Sequence, residues 1–132
     1  REMIFPIGEP NTAFAQYFTG NSYLAPISRE QVSVSNVTFE PRCRNHWHIH
    51  RAKSGGGQML VGVAGRGWYQ EEGKPAREIL PGTVIHIPAN MKHWHGAAAD
   101  RWFAHLAFEI PGEDVSNEWL EPVTDTEYDK LK

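Results

Sequence analysis

A single cysteine, Cys43, is all the thiol chemistry this chain contains. No internal disulfide can form, which fits a reducing compartment and makes a cytoplasmic setting the expectation. Basic residues are not in excess. Thirteen Lys and Arg stand against 16 Asp and Glu, for a formal charge of −3, with no block of one sign. Nucleic acid and anionic membranes are therefore not expected as partners, because both are bound through clustered Lys and Arg. No apolar run nears the roughly 18 residues that a membrane-spanning helix requires. The first residues carry no charged-then-apolar leader, so no secretory signal is expected. Long helical periodicity is missing too. Only residues 11–17 and the tail "DTEYDKLK" could form helical turns, and both are short.

What is present reads as β structure. Twelve glycines and nine prolines punctuate short runs rich in β-branched and aromatic residues. Residues 32–39 alternate apolar and polar before Pro41. "QMLVGVAGRGWYQ" reads as one glycine-interrupted strand leading into the turn "EEGKP". "AREIL" ends at the turn Pro81–Gly82, "TVIHIP" follows, and "RWFAHLAFEIP" forms a last strand. Turns every ten or so residues over 132 residues predict a single all-β domain, a sandwich or barrel with one core. Phe39, Trp68 and Phe103 are candidates for that core or for the wall of an apolar pocket.

Seven histidines stand out, five of them in alternating patterns. In "NHWHIH" the strand period of two puts His46, His48 and His50 on one face and Trp47 and Ile49 on the other. In "KHWHGA", His93 and His95 share a face opposed by Trp94. His105 lies mid-strand between Phe103 and Ala107. An H-x-H pair can grip a metal ion from one side, and an imidazole from another strand can complete the grip. A lone strand histidine is more often a packed core residue, but two H-x-H pairs in one small domain point to a metal site. His46, at the edge of its run, reads as a polar rim residue with a fourth donor as the alternative. His86 reads as structural. Cys43 reads as a small buried residue rather than a ligand.

These stretches resemble the cupin superfamily of small β-barrels. Its first motif runs glycine, five residues, H-x-H, three or four residues, glutamate, six residues, glycine. Here His48 and His50 supply H-x-H, Gln58 stands in the glutamate's place, and Gly65 closes the motif. The second motif, P-G, five residues, P-x-G, two residues, histidine, matches Pro81–Gly82, Pro88, Asn90 and His93. The two motifs cover about residues 40–65 and 81–97. Departures are visible. Arg42 replaces the first glycine, the insert "RAKSGGG" lengthens the loop before Gln58, and Asn90 replaces a glycine, as Asn can where φ is positive. A closer resemblance is to bacterial cupins with a Gln ligand and "HWHGA". Some of these are associated with carboxymuconolactone decarboxylase-like proteins, and others are manganese-dependent hydroxynitrile lyases.

The resemblance implies a single cupin domain over residues 1–132, a jelly-roll barrel of two antiparallel sheets. It implies one divalent transition metal per chain (Mn, Fe, Ni or Zn) held by His48, His50, Gln58 and His93. His105 is then the base, with His95 beside it in the pocket. The implied activity is a lyase or isomerase step on a small oxygenated molecule, opened by proton abstraction. An Fe- or Ni-dependent dioxygenase is the alternative within enzymes, and a metal- or ligand-sensing module the alternative outside them. A homodimer is expected, with "FAQYFTGNSYLAPI" and "EWLEPV" as candidate contacts.

Overall fold

The structure is a computed structural model that describes residues 3–131. Its strands in chain order are β1 (Glu9–Pro10), β2 (Phe18–Thr19), β3 (Ser22–Ser28), β4 (Val34–Phe39), β5 (Arg44–Asn45), β6 (His48–Arg51), β7 (Ser54–Gly55) and β8 (Gln58–Gly65). Then come β9 (Gly67–Glu71), β10 (Arg77–Ile79), β11 (Val84–Ile87), β12 (His93–Ala97), β13 (Phe103–Glu109), β14 (Gly112–Glu113) and β15 (Ser116–Trp119). Among the described residues, helical turns are limited to a 3-10 segment, Thr12–Tyr17, and α1, Asp125–Tyr128, within the two short stretches predicted. A reciprocal capping box starts α1. Thr124 Oγ1 accepts from the Glu127 N–H, and the Glu127 carboxylate accepts from the Thr124 N–H.

All the strand pairs are antiparallel. One sheet runs β1-β3-β4-β13-β8-β11. The second runs β10-β9-β12-β5-β2, with β6 pairing both β12 and β15. β7 and β14 form a small ribbon beside the barrel. Strand alternation decides what goes between the sheets. Along β8, burial switches residue by residue, with Gln58, Leu60 and Ala64 inside and Met59, Val61 and Val63 half-buried. Phe39, Leu60, Tyr69, Ile79, Ile85 and Phe103 close-pack the interior. Cys43 joins them, fully buried, its thiol pushed up to about 12 chiefly by burial, so it is an inert core residue.

The run "QMLVGVAGRGWYQ" is two strands, not one. It leaves the first sheet after β8 and joins the second as β9. Gly65 makes the crossing at φ +70°, where a Cβ would overlap the Trp102 carbonyl oxygen. Asn90 does take a positive φ, +67°. Its side chain has a second use: it accepts from the Ala52 N–H and donates to the Ala52 carbonyl, so it ties down the long insert. The insert is further held by β7 pairing with β14, and Gly55, Gly56 and Gly57 turn it at φ of 60°, 75° and 87°.

A second cluster lies on the outside of the second sheet. Trp47 and Trp94 pack there with Val123 and Tyr128 of the C-terminal tail. Trp68 packs against this outer cluster, so it does not shape an interior pocket. The stretches read as dimer contacts pack on their own barrel: Phe18 on the core, Trp119 against Tyr17 at 4.5 Å, and Leu120 on the outer cluster. His86 is exposed on β11 and holds no buried structural role. No described helix is long and apolar enough to cross a membrane.

Candidate metal centre

Four of the imidazoles meet because β6 and β12 are neighbours. His93 pairs with His48 in register, and their ring centroids are 4.2 Å apart. His50 lies 5.1 Å from both rings. Gln58 enters as the first residue of β8, one strand pair from β13, which carries His105. The run "NHWHIH" is not a continuous strand, however. Backbone pairing breaks between β5 and β6, so His46 turns to the edge, half-buried and edge-on to Tyr17. The residue that reaches inside from this bend is Asn45.

Each of three histidines is anchored through Nδ1. The Nδ1 of His48 lies 2.8 Å from the His46 carbonyl, and that of His93 lies 2.9 Å from the Met91 carbonyl. A carbonyl only accepts, so both Nδ1 atoms carry the proton and both Nε2 atoms present a lone pair. His50 Nδ1 likewise donates to Asn117 Oδ1 at 2.8 Å. Gln58 donates its Nε2 to the Glu109 carboxylate at 2.5 Å. What remains is a set of buried atoms without partners: His50 Nε2, His93 Nε2 and Gln58 Oε1. An unsatisfied buried acceptor costs about 1–3 kcal/mol, so this convergence needs a reason. A divalent cation is one, since it satisfies lone pairs and nothing else. These donors therefore fit a metal ion.

Proximity groups the histidines differently. The donor atoms of His48, His93 and His95 all lie within 4.8 Å of one another, so three buried histidines could hold a metal. His95, though, already has partners. Its backbone N–H donates to Asn45 Oδ1, which turns Asn45 Nδ2 toward the ring, 3.2 Å from Nε2. Its Nδ1 lies 3.2 Å from His105 Nε2. His105 Nδ1 donates to the Leu106 carbonyl, so its Nε2 is the acceptor of that pair. The free lone pairs thus separate two groups that distance alone would merge.

Burial keeps these rings neutral. It holds His93 and His105 down to about 4. His48 and His95 fall well below the ordinary range through burial first, then through neighbouring imidazoles. The site opens into a cavity of about 410 Å³. Phe14, Phe18, Val37 and Trp119 give it apolar walls, while His105 and Glu109 face it from β13. Phe39 and Phe103 lie behind His105, with centroids at 5.5 Å.

Asn45, Glu109, Asn117 and Trp119 were not visible as site residues in the sequence. For Glu109, Asn117 and Trp119 the only signal is alternation in β13 and β15. It becomes readable once Glu109 is known to pair with Gln58, Asn117 with His50 and Trp119 with His48.

No family model matches the chain. An (R)-mandelonitrile lyase from Granulicella tundricola is 39% identical over 118 residues, 86% of this chain and 87% of that protein. The solved structure of a cupin-like protein from Thermotoga maritima superposes with a TM-score of 0.83 at 39% identity, covering 97% of this chain and 96% of the other. A predicted oxalate decarboxylase from Thermotoga maritima shares the fold alone, with a TM-score of 0.65 at 14% identity over 82% of this chain and 98% of its own.

Proposed function

The chain belongs to the cupin superfamily, and from there we propose that it is a metal-dependent lyase acting on small hydroxylated molecules, cyanohydrins first among them. The observation that carries this is the separation of lone pairs in one cavity. His50 Nε2, His93 Nε2 and Gln58 Oε1 are buried and unpartnered, while His105 and His95 are bonded to each other. His48, His50, Gln58 and His93 would hold the ion. When bound, a divalent ion supplies Lewis acidity toward a hydroxyl or carbonyl oxygen. The name of the Granulicella relative supports cyanohydrin cleavage as the first reaction to try.

The chain's own residues do the rest. His105 Nε2 is the base, because its Nδ1–H is committed to the Leu106 carbonyl. His95 donates to that Nε2 in the free protein, and the substrate hydroxyl takes its place. The base removes the hydroxyl proton, the adjacent C–C bond breaks, and its electrons leave with the departing carbanion. A carbonyl compound remains. The proton on His105 then goes to the leaving group, so the ring returns to neutral and nothing is oxidised. Burial suits this role, since it keeps the imidazole neutral and ready to accept. Phe14, Phe18 and Trp119 shield the reacting group from water.

The test compares two variants for metal content and for carbonyl release from racemic mandelonitrile. His48→Ala is expected to lose the ion. His105→Ala is expected to keep about one ion per chain while turnover falls by about 10²–10⁴-fold. Unchanged turnover in His105→Ala would remove the base. A binding module would keep its metal in that variant and show no turnover in any form of the protein.

A further inference from the structure

Pairing between β13 and β8 sets Glu109 directly opposite Gln58. Both residues line the same cavity, Gln58 buried and Glu109 open to solvent, and Glu109 Oε2 accepts from Gln58 Nε2 at 2.5 Å. The two partners are chemically unequal. An amide has one donating and one accepting end, whereas an ionised carboxylate only accepts. Glu109 can therefore hold Gln58 by its NH₂ end alone. That turns Gln58 Oε1 the other way, where it is buried with no partner. We propose that Glu109 is a positioning residue of the metal centre. It selects the end of Gln58 that faces the ion, and it places one negative charge just outside a neutral ligand set.

The inference rests on Gln58 being a ligand, and charge gives it a second footing. Three imidazoles and an amide bring no charge to a divalent ion. A glutamate at position 58 would bring one directly. Here the carboxylate is displaced by one hydrogen bond, from the ligand to the ligand's partner. A charge-assisted bond to Nε2 also polarises the amide and enriches Oε1 in electron density. Glu109 lines the same cavity and is bonded to the Gln58 amide. It is also largely exposed, so its replacement should leave the fold intact.

The experiment is a Mn²⁺ titration of metal-stripped protein, read by competition with a fluorescent chelator. Wild type is compared with Glu109→Ala, Glu109→Gln, Gln58→Ala, His48→Ala and the double variant Gln58→Ala/Glu109→Ala. Glu109→Ala should weaken Mn²⁺ binding by about 10- to 100-fold. Glu109→Gln should lose less, because its amide oxygen can still accept from Gln58 Nε2 though the charge is gone. In the Gln58→Ala background, removing Glu109 should add no more than about twofold. Wild-type affinity in Glu109→Ala overturns the proposal. So does an equal loss with and without Gln58, which would make Glu109 act on the ion unaided. If Gln58→Ala binds like wild type while His48→Ala does not, the ligand reading of Gln58 fails and the proposal with it. Thermal midpoints of the metal-free Glu109→Ala and Glu109→Gln proteins should match wild type, which separates positioning from misfolding.

Discussion

Around β6 and β12, successive residues alternate between imidazoles facing in and indoles facing out. His48, His50, His93 and His95 look into the barrel, while Trp47 and Trp94 look onto the C-terminal tail. The backbone is shared, yet the two faces follow opposite rules. Outside, the polar atoms of Trp94 and Tyr128 are matched: Trp94 Nε1 donates to Gln70 Oε1 at 3.0 Å, and Tyr128 Oη donates to the Ala97 carbonyl. Inside, His50 Nε2 and His93 Nε2 are left without partners. The inner face costs stability and the outer face supplies it. A buried, unsatisfied site can be held in shape only because the same strands are clamped from behind.

The most direct way to break this comparison is to cut each face in turn and unfold the metal-free proteins in urea. Trp94→Ala removes a fully buried indole and should cost about 3–5 kcal/mol. His93→Ala should cost well under half of that, because deleting its unsatisfied acceptor offsets part of the packing lost. The ligand variant should lose the ion all the same. Equal losses of stability would mean that the imidazole face is ordinary core.

This division of faces was legible in the sequence, since alternation alone puts Trp47 and Trp94 opposite the histidines. The all-β fold, both short helical turns and the positive φ of Asn90 were legible for similar reasons, each being a local property of a few residues. The break between β5 and β6 was not. "RNHWHIH" carries no glycine or proline to announce it, so His46 was placed with His48 and Asn45 was overlooked. The anchors Asn117 and Glu109 depend on register between strands far apart in the chain, 67 residues for Asn117 with His50 and 51 for Glu109 with Gln58. Nothing local encodes such pairings.

Acid sharpens the comparison at intermediate cost. In the folded, metal-free protein His93 and His105 sit at about 4, whereas the unfolded chain takes up protons near the ordinary 6.5. Over that interval the unfolded state binds more protons. The contribution of these rings to stability is therefore whole above about pH 6.5 and is lost as pH falls toward 4, at no more than about 1.4 kcal/mol per pH unit for each. Urea unfolding at stepped pH should show that decline, and His105→Gln should flatten it. Trp47→Leu, on the outer face, should lower the whole curve and leave its slope alone. A His105→Gln curve as steep as wild type would show that this ring is not held neutral by the fold.

The gentlest cut falls on the tail. Tyr128 Oη donates to the Ala97 carbonyl at the end of β12, its proton kept by burial that pushes the phenol up to about 12. Arg44 and Arg42 lie over its ring, 4.4 and 4.9 Å from the centroid. Tyr128→Phe keeps the ring, and with it the contact to Trp94 and both guanidinium groups, and deletes one hydrogen bond. The expected loss is about 0.5–1.5 kcal/mol. Mn²⁺ affinity should not move, because Ala97 lies beyond the histidines on β12 and the strand remains clamped by Trp47 and Trp94. Measured together, stability and Mn²⁺ affinity decide how far the two faces are independent. A stability loss alone means that the clamp is redundant and the site feels only its near anchors. A parallel fall in affinity would mean that a hydroxyl on the outer face sets the spacing of imidazoles on the inner one, and the separation of faces would then be wrong.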